Sequence, residues 1–338
     1  MSDPVALITG AGGEMGRLLL PALRERGIDV VALDLADAPE DLGSSYREWA
    51  KMDLLDEQGV TALIQRHRPS YVFHLAAILS SHAERDYELA HRVNVEGTLQ
   101  LFRICQRKAE QAVRFLFPSS IAVYGLPTVE EKELQGAVRE WQWTTPAGMY
   151  GCNKLYCELV GTYLSLRKPQ PEKHPIDFRA IRFPGLISAV TLPSGGTTDF
   201  APEMIHAAAQ HKPYACFVRE DSRLPFMTMP DGVEALVQLA ETDASRLTRR
   251  IFNIKGFSCS AGEIRKKVLE HYPDAEITFA PLAQKQAIVD SWPADINDSR
   301  ARRDWGFAPR HGMDEALTDY LMPALRERYA SEEVAKGH

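Results

Sequence analysis

Residues 9 to 16 read Thr9-Gly10-Ala11-Gly12-Gly13-Glu14-Met15-Gly16, which places G-x-x-G-x-x-G at Gly10, Gly13 and Gly16. Just before this loop, Val5 to Thr9 is an apolar run of the length of one buried strand. Just after it, Leu18, Leu19, Ala22 and Leu23 recur at helical spacing between Met15 and Arg26, and Gly27 stops the run. Glycines between a strand and a helix allow a tight turn, a close approach of backbone to a pyrophosphate, and close packing of helix on strand. The helix start adds N–H groups and partial positive charge. Gly10, Gly13, Glu14, Met15 and Gly16 are therefore expected to cradle a dinucleotide. A glycine-rich turn without a ligand is the plain alternative, and the strand–loop–helix setting weighs against it.

Reading outward, Asp29 to Leu33 is the next strand, and Asp34 closes it at the separation expected of an acid that binds the adenosine ribose. A carboxylate there accepts from both ribose hydroxyls and repels a 2′-phosphate, which favours NAD over NADP. A solvated strand-end Asp is the alternative. Asp53 and Leu54, after a third strand region, are placed near the adenine. Gly59 to His67 then reads as a helix, Tyr71 to Ala76 as a strand and Glu84 to Arg107 as a long helical stretch. Val113 to Phe117 reads as a strand, Tyr150 to Leu166 as a helix and Phe178 to Arg182 as a strand. Strands and helices alternating at this pitch predict an α/β fold, a doubly wound parallel sheet with helices on both faces.

After Pro184 the alternation ends. Residues 1–183 read as the dinucleotide-binding unit and 184–330 mostly as a smaller substrate-covering region, from which Ile251 to Ile254 returns to the main sheet. Arg167 to Pro175 reads as an exposed loop, and Ser331 to His338 as a polar, frayed tail.

Composition excludes several classes. The chain has 338 residues, Lys+Arg 39 against Asp+Glu 46, and a net charge of -7, so no basic patch for nucleic acid or an anionic membrane is expected. Hydrophobic residues at 45% and charged residues at 25% suit a soluble globular protein long enough to build its core without disulfides or a structural metal. The densest apolar run, Tyr71 to Leu79, is too short to span a bilayer. The start MSDPVALITG lacks a basic n-region and an apolar h-region. With that start, the five cysteines, odd in number and without C-x-x-C spacing, are expected to be reduced thiols in a cytoplasm. No Cys/His cluster has zinc spacing, so no metal is expected.

Tyr150-Gly-Cys-Asn-Lys154 puts a phenol and an ammonium at i and i+4, on one face of a helix. An ammonium beside a phenol lowers its pKa, which makes Tyr150 a candidate general base. Lys154 is also within reach of a cofactor ribose. Ser119 and Ser120 follow a strand and so lie at the carboxyl edge of the sheet, where such folds bind ligands. Y-x-x-x-K alone is common and can be a surface pair. Here it follows, in order, the glycine loop, Asp34, His74-Leu75-Ala76-Ala77, Asn94 in RVNVEGT, and PSSIAVYG.

With these motifs in place, nearly the whole chain resembles the extended short-chain dehydrogenase/reductases. That resemblance implies a Rossmann fold, a nicotinamide cofactor, usually a homodimer, and a catalytic set of Ser120, Tyr150 and Lys154. It also implies that Leu75, Ala76, Ala77 and Asn94 face the cofactor. Val93 to Arg107 and Tyr150 to Leu166 are the candidate dimer helices. The second half looks like the short-chain-type L-threonine 3-dehydrogenases, through RFPGLIS (182–188), PSGGTTDFA (193–201), LPFMTMPD (224–231), QAIVDSWP (286–293) and the segment beginning at Asp304. This likeness implies NAD-dependent oxidation of L-threonine to 2-amino-3-oxobutyrate, with Ser80, Ser119, Thr197, Thr198 and Trp292 around a small amino-acid substrate. Two readings stay open beside it. Nucleotide-sugar epimerases and dehydratases usually carry R-D-[FY]-x-x-V-x-D; here Leu224-Pro225 stands for the Arg–Asp pair, with Arg223 adjacent. A dehydrogenase of a small hydroxy acid is the other. The stretch Pro127 to Pro146, with Trp141 and Trp143, departs from the threonine-dehydrogenase pattern, as does Arg167 to Pro175.

Overall fold

Val5–Thr9 forms β1, with all five residues buried. In the computed structural model, which describes residues 3–109, 112–166, 174–189, 192 and 196–336, six further strands join it. They are β2 (Asp29–Asp34), β3 (Glu48–Lys51), β4 (Tyr71–His74), β5 (Val113–Ser120), β6 (Ile176–Phe183) and β7 (Ile251–Asn253). The seven-stranded sheet runs β3-β2-β1-β4-β5-β6-β7 with every neighbouring pair parallel. The strands are apolar on both faces because helices cover both. Glu14–Arg24 and Met229–Glu241 pack on one face through Leu19, Leu20, Leu23, Val233 and Leu236. Glu57–His67, Gly97–Lys108 and Met149–Leu166 cover the other, around Leu63, Phe102, Phe115, Cys157 and Phe178.

From β1 the chain builds outward to β2 and β3, then returns to place β4 on the opposite side of β1. That reversal parts the loops at the carboxyl ends of β1 and β4 and opens a crevice there, the place where doubly wound sheets take their ligands. Much of the rest of the chain builds a cap with its own core, around Phe200, Met204, Phe217, Phe226, Ile264 and Trp292, while Ala301, Trp305 and Phe307 pack back on the main sheet. Its strands Gly185–Ile187, Arg223–Thr228 and Phe257–Ser260 form one small sheet. Tyr214–Cys216 pairs with Ile277–Phe279, and Ala137–Val138 with Asp295–Ile296.

Three sequence expectations change. The long helix over Glu84 to Arg107 is broken. Asp86 leaves helical geometry (φ -137°, ψ 83°) and caps Tyr87–His91 through Leu89 N, and Arg92–Glu96 is a π-turn before Gly97–Lys108. Strand β5 runs past Phe117 to Ser120, because its pairing with β6 continues to Ser120 opposite Phe183. Of the tail expected to fray, Ser331 to Lys336 is instead the end of a helix, Met322–Lys336, and Gly337 and His338 lie outside the described residues. Most of the expected loop Arg167 to Pro175, and Pro193 to Gly195 of the glycine–threonine segment, lie outside the described residues. Among the described residues no helix is long and apolar enough to cross a membrane.

Candidate active site

The crevice is a cleft of about 1000 Å³ lined by the ends of β1, β2, β4 and β5, the start of the first helix, and the cap. Gly10 adopts φ +68°, and a Cβ there would stand 2.7 Å from Ala76 N. A Cβ on Gly16 would stand 2.3 Å from Ala11 O. The loop therefore presses against the β4 end and the helix against the loop, and only glycine fits at either point. Gly12 N donates to Asp34 Oδ2 at 2.8 Å, while Ala36 N donates to Asp34 Oδ1 at 3.0 Å. The Asp34 carboxylate is thus held by two backbone amides at the rim of the cleft, beside the first turn of Glu14–Arg24. A glycine cradle, a helix N-terminus and a fixed carboxylate together match the phosphates and ribose of NAD. Gly10, Gly13, Glu14, Met15, Gly16, Asp34, Asp53, Leu54, Leu75, Ala76 and Ala77 all line this part. Gly12 and Arg17 line it too. The motif's own spacing passes over Gly12, although its place in the Gly-Ala-Gly-Gly run marked it.

Asn94 does not line the cleft. It is buried behind the wall, where its side chain accepts from Ile78 N at 2.7 Å and donates to Ile78 O at 2.9 Å. It fixes the chain between β4 and Ser80, and the π-turn is what aims it there. Next to it runs a buried relay. Thr98 gives its hydroxyl proton to Asn94 O at 2.6 Å, so it accepts from His74 Nε2–H at 2.8 Å. That leaves His74 Nδ1 to accept from Thr9 Oγ1 at 2.7 Å. Burial, and then the charge of Lys154, hold His74 down to about 3, so the ring is neutral.

Strand β5 and helix Met149–Leu166 bring Ser119, Ser120, Tyr150 and Lys154 to one side of the cleft. Ser120 Oγ accepts from Ala122 N at 3.1 Å, which leaves its own proton available to donate. Ser119 Oγ is buried with no hydrogen-bond partner among the described residues. Lys154 Nζ donates to Pro118 O at 2.7 Å and stands 4.5 Å from the Phe117 ring centroid and 5.6 Å from that of Tyr150. Burial lowers Lys154 to about 8, against Cys157 and Glu158, which raise it. Burial likewise pushes the Tyr150 phenol up. This corrects the expectation of a phenol already lowered by its lysine: at this separation desolvation outweighs the ammonium, and further positive charge near the ring is needed to favour phenolate.

Behind this wall Arg182 grips Glu158 at 2.9 and 2.6 Å, and also donates to Tyr124 OH at 2.9 Å and Glu140 O at 2.7 Å. Tyr124 OH in turn donates to Asn253 Oδ1 at 2.7 Å, and burial pushes Tyr124 up to about 12. This network ties helix Met149–Leu166 to β6, β7 and the turn after β5, and sequence spacing signals none of it.

The far end of the cleft is lined by Ser80, Thr197, Thr198 and Trp292, with Asp199, Leu186 and Met229. Sequence reasoning named the first four and passed over the rest. Arg223 is not there. It donates to Ser258 O at 2.9 Å and to Glu263 Oε1 at 2.7 Å on the outside of the cap sheet. Among the described residues no group of three or more His, Cys, Asp or Glu could hold a metal.

Residues 6–254 match the model of the NAD dependent epimerase/dehydratase family. The chain is 33% identical over 317 residues to a mitochondrial L-threonine 3-dehydrogenase of Bos taurus, across 93% of this chain and 81% of that one. It is 31% identical over 325 residues to an uncharacterized epimerase/dehydratase of Staphylococcus haemolyticus, across 95% of this chain and 98% of that one. The structure of L-threonine 3-dehydrogenase from Trypanosoma brucei is similar at a TM-score of 0.83 and 33% identity, covering 95% of this chain and 98% of that one.

Proposed function

Because the chain belongs to the NAD dependent epimerase/dehydratase family, and is an NAD-dependent oxidoreductase, we propose that it oxidises L-threonine at the β-carbon to 2-amino-3-oxobutyrate. The observation that carries the substrate class is the direction of Arg223. Of the segment 224–231 only Met229 reaches the cleft, and Arg223 is engaged by Ser258 and Glu263. Among the described residues the segment 223–231 therefore offers no cation to the cleft where a nucleotide-sugar reader places its diphosphate-binding arginine, and the far end is lined by the hydroxyls of Ser80, Thr197 and Thr198 with Asp199, Leu186, Met229 and the Trp292 indole. The threonine-dehydrogenase likeness over nearly the full length supports the same reading.

In this mechanism Tyr150 takes the proton of the substrate hydroxyl. Ser120, whose oxygen is already fixed by Ala122 N, donates to the same hydroxyl oxygen and holds it in reach. Lys154 supplies positive charge beside the phenol and donors for a ribose. NAD, when bound, supplies the two-electron acceptor for the substrate carbon. Ser80, Ser119, Thr197 and Thr198 hydrogen-bond the amino-acid carboxylate and amine, and Trp292 closes that end against water, which strengthens each of these contacts.

The test is NADH absorbance with purified protein, NAD and L-threonine, beside D-threonine, L-allo-threonine, L-serine and D-erythronate. NADH from L-threonine alone supports the proposal. NADH from the hydroxy acid alone keeps the chemistry and discards the substrate. No NADH from any of them, with turnover of a UDP-sugar, replaces the proposal by the epimerase reading.

A further inference from the structure

The stretch that departs from the threonine-dehydrogenase pattern, Pro127 to Pro146, packs against the one that carries Trp292. Within it Val129–Gln135 is a short helix capped by Thr128, whose hydroxyl accepts from Glu131 N. Of its charged residues Glu130 and Glu133 are exposed and Glu131 is half-buried, while Lys132 is only 5% exposed. Lys132 Nζ donates to Val289 O at 2.8 Å. Val289 lies in the last turn of helix Ala283–Ser291, and the residue that ends that helix is Trp292.

An ammonium removed from water without a carboxylate is costly. Lys132 makes no ion pair among the described residues. What offsets the cost is the C-terminal end of Ala283–Ser291, where the helix dipole favours a cation and Val289 O, which also accepts from Trp292 N at 3.2 Å, takes the ammonium as a second donor. The charged groups around it are Asp290 of the same helix and Asp221, which favour the ammonium, and Arg219, which opposes it. Arg219 is itself held by Asp290 through two bonds of 2.9 and 2.8 Å.

Two backbone contacts flank this pin. Leu126 N donates to Ser291 O at 2.8 Å, and Ala137–Val138 pairs with Asp295–Ile296, with Asn297 N donating to Val138 O at 2.8 Å. The segment 126–138 therefore holds 289–297 on both sides of Trp292, at 289 and 291 before it and at 295–297 after it. It begins a few residues beyond Ser119 and Ser120, so one continuous piece of chain runs from the catalytic strand to the back of Trp292.

We infer that Lys132 is a positioning residue for the substrate end of the cleft: its side chain pins the C-terminus of Ala283–Ser291 so that the Trp292 indole stays over the bound substrate. The inference rests on the reading of that end as the site of a small amino acid.

Two measurements on K132M test it. Hydrogen exchange by mass spectrometry is expected to quicken in peptides covering 289–297 and to stay unchanged in those covering 149–166. In steady-state kinetics the KM for L-threonine is expected to rise roughly tenfold, about 1.4 kcal/mol, with kcat and the Kd for NAD near wild type. In a W292F background the same substitution is expected to leave KM where W292F alone puts it, because Lys132 acts through the indole. Unchanged exchange over 289–297 overturns the inference. So do additive KM effects, or exchange that quickens throughout the chain, which a merely structural lysine produces. If K132M does not fold, K132Q, which keeps an N–H donor and buries no charge, is read in the same way. Should wild type leave L-threonine untouched, the substrate proposal fails, while the exchange measurement still decides the pin.

Discussion

Two side chains carry most of the proposed chemistry, and each makes its own prediction. Tyr150 is the proposed proton acceptor, so Tyr150→Phe is expected to lower kcat by roughly 10²–10⁴-fold while NAD binding, read by fluorescence titration, stays intact. Retained turnover removes Tyr150 from the mechanism. Asp34 is held by Gly12 N and Ala36 N at the ribose end. Asp34→Ala removes the charge that repels a 2′-phosphate, and the ratio of kcat/KM for NAD over NADP is expected to fall at least tenfold, about 1.4 kcal/mol. An unchanged ratio means that NAD preference is set elsewhere. The Tyr150–Lys154 pair was legible at this scale because i and i+4 on a helix are neighbours whatever the rest of the chain does. The state of the phenol was not, because desolvation depends on everything packed around it.

Among the elements, helix Met149–Leu166 carries Tyr150, Lys154 and Glu158 at successive four-residue steps along one face, with Lys154 and Glu158 buried. Its orientation depends on the bidentate Arg182–Glu158 pair, which sits out of water between the helix and β6. Glu158→Gln leaves the guanidinium buried and uncompensated, and is expected to cost about 3–5 kcal/mol in urea unfolding. A loss under about 1 kcal/mol would show the pair to be dispensable. Strand and helix boundaries in the first half were read within a few residues wherever an apolar run met a glycine, a proline or a cap. The break at Asp86 and the π-turn at Arg92–Glu96 were not legible, because helical periodicity runs through both. What interrupts it is Asn94 turning to bind Ile78, a contact made across the fold.

For the whole molecule, the outward face of helix Met149–Leu166 exposes Tyr156 (48%), Leu159 (61%), Tyr163 (61%) and Leu166 (68%). An apolar stripe at helical spacing is the kind of surface through which a helix joins a partner. The stripe lies on one of the two stretches expected to join copies of the chain. Leu159→Arg is expected to turn a dimer into a monomer in light scattering, with NAD binding preserved. A wild-type monomer would sink the dimer, and a dimeric Leu159→Arg would move its interface to another face. The sheet and the cap meet over the cleft, the glycine loop and Asp34 lining it from the sheet and Thr197, Thr198 and Trp292 from the cap. Lys132 and Val289, 157 positions apart in the chain, join the segment that follows β5 to the one that carries Trp292.

By itself the sequence determined the order of strands and helices, the glycine cradle after β1, the acid ending β2 and the Tyr–Lys pair. Each is a local property, set by spacing, apolar period and the geometry of a turn. Only the tertiary structure decided that Asn94 braces the wall rather than facing the cleft, and that Arg223 turns outward. It also decided that Lys132 is buried and that Trp292 reaches the same cavity as Ser120. Those facts depend on contacts between distant residues and on how much water packing removes, and neither is written in any short stretch of chain.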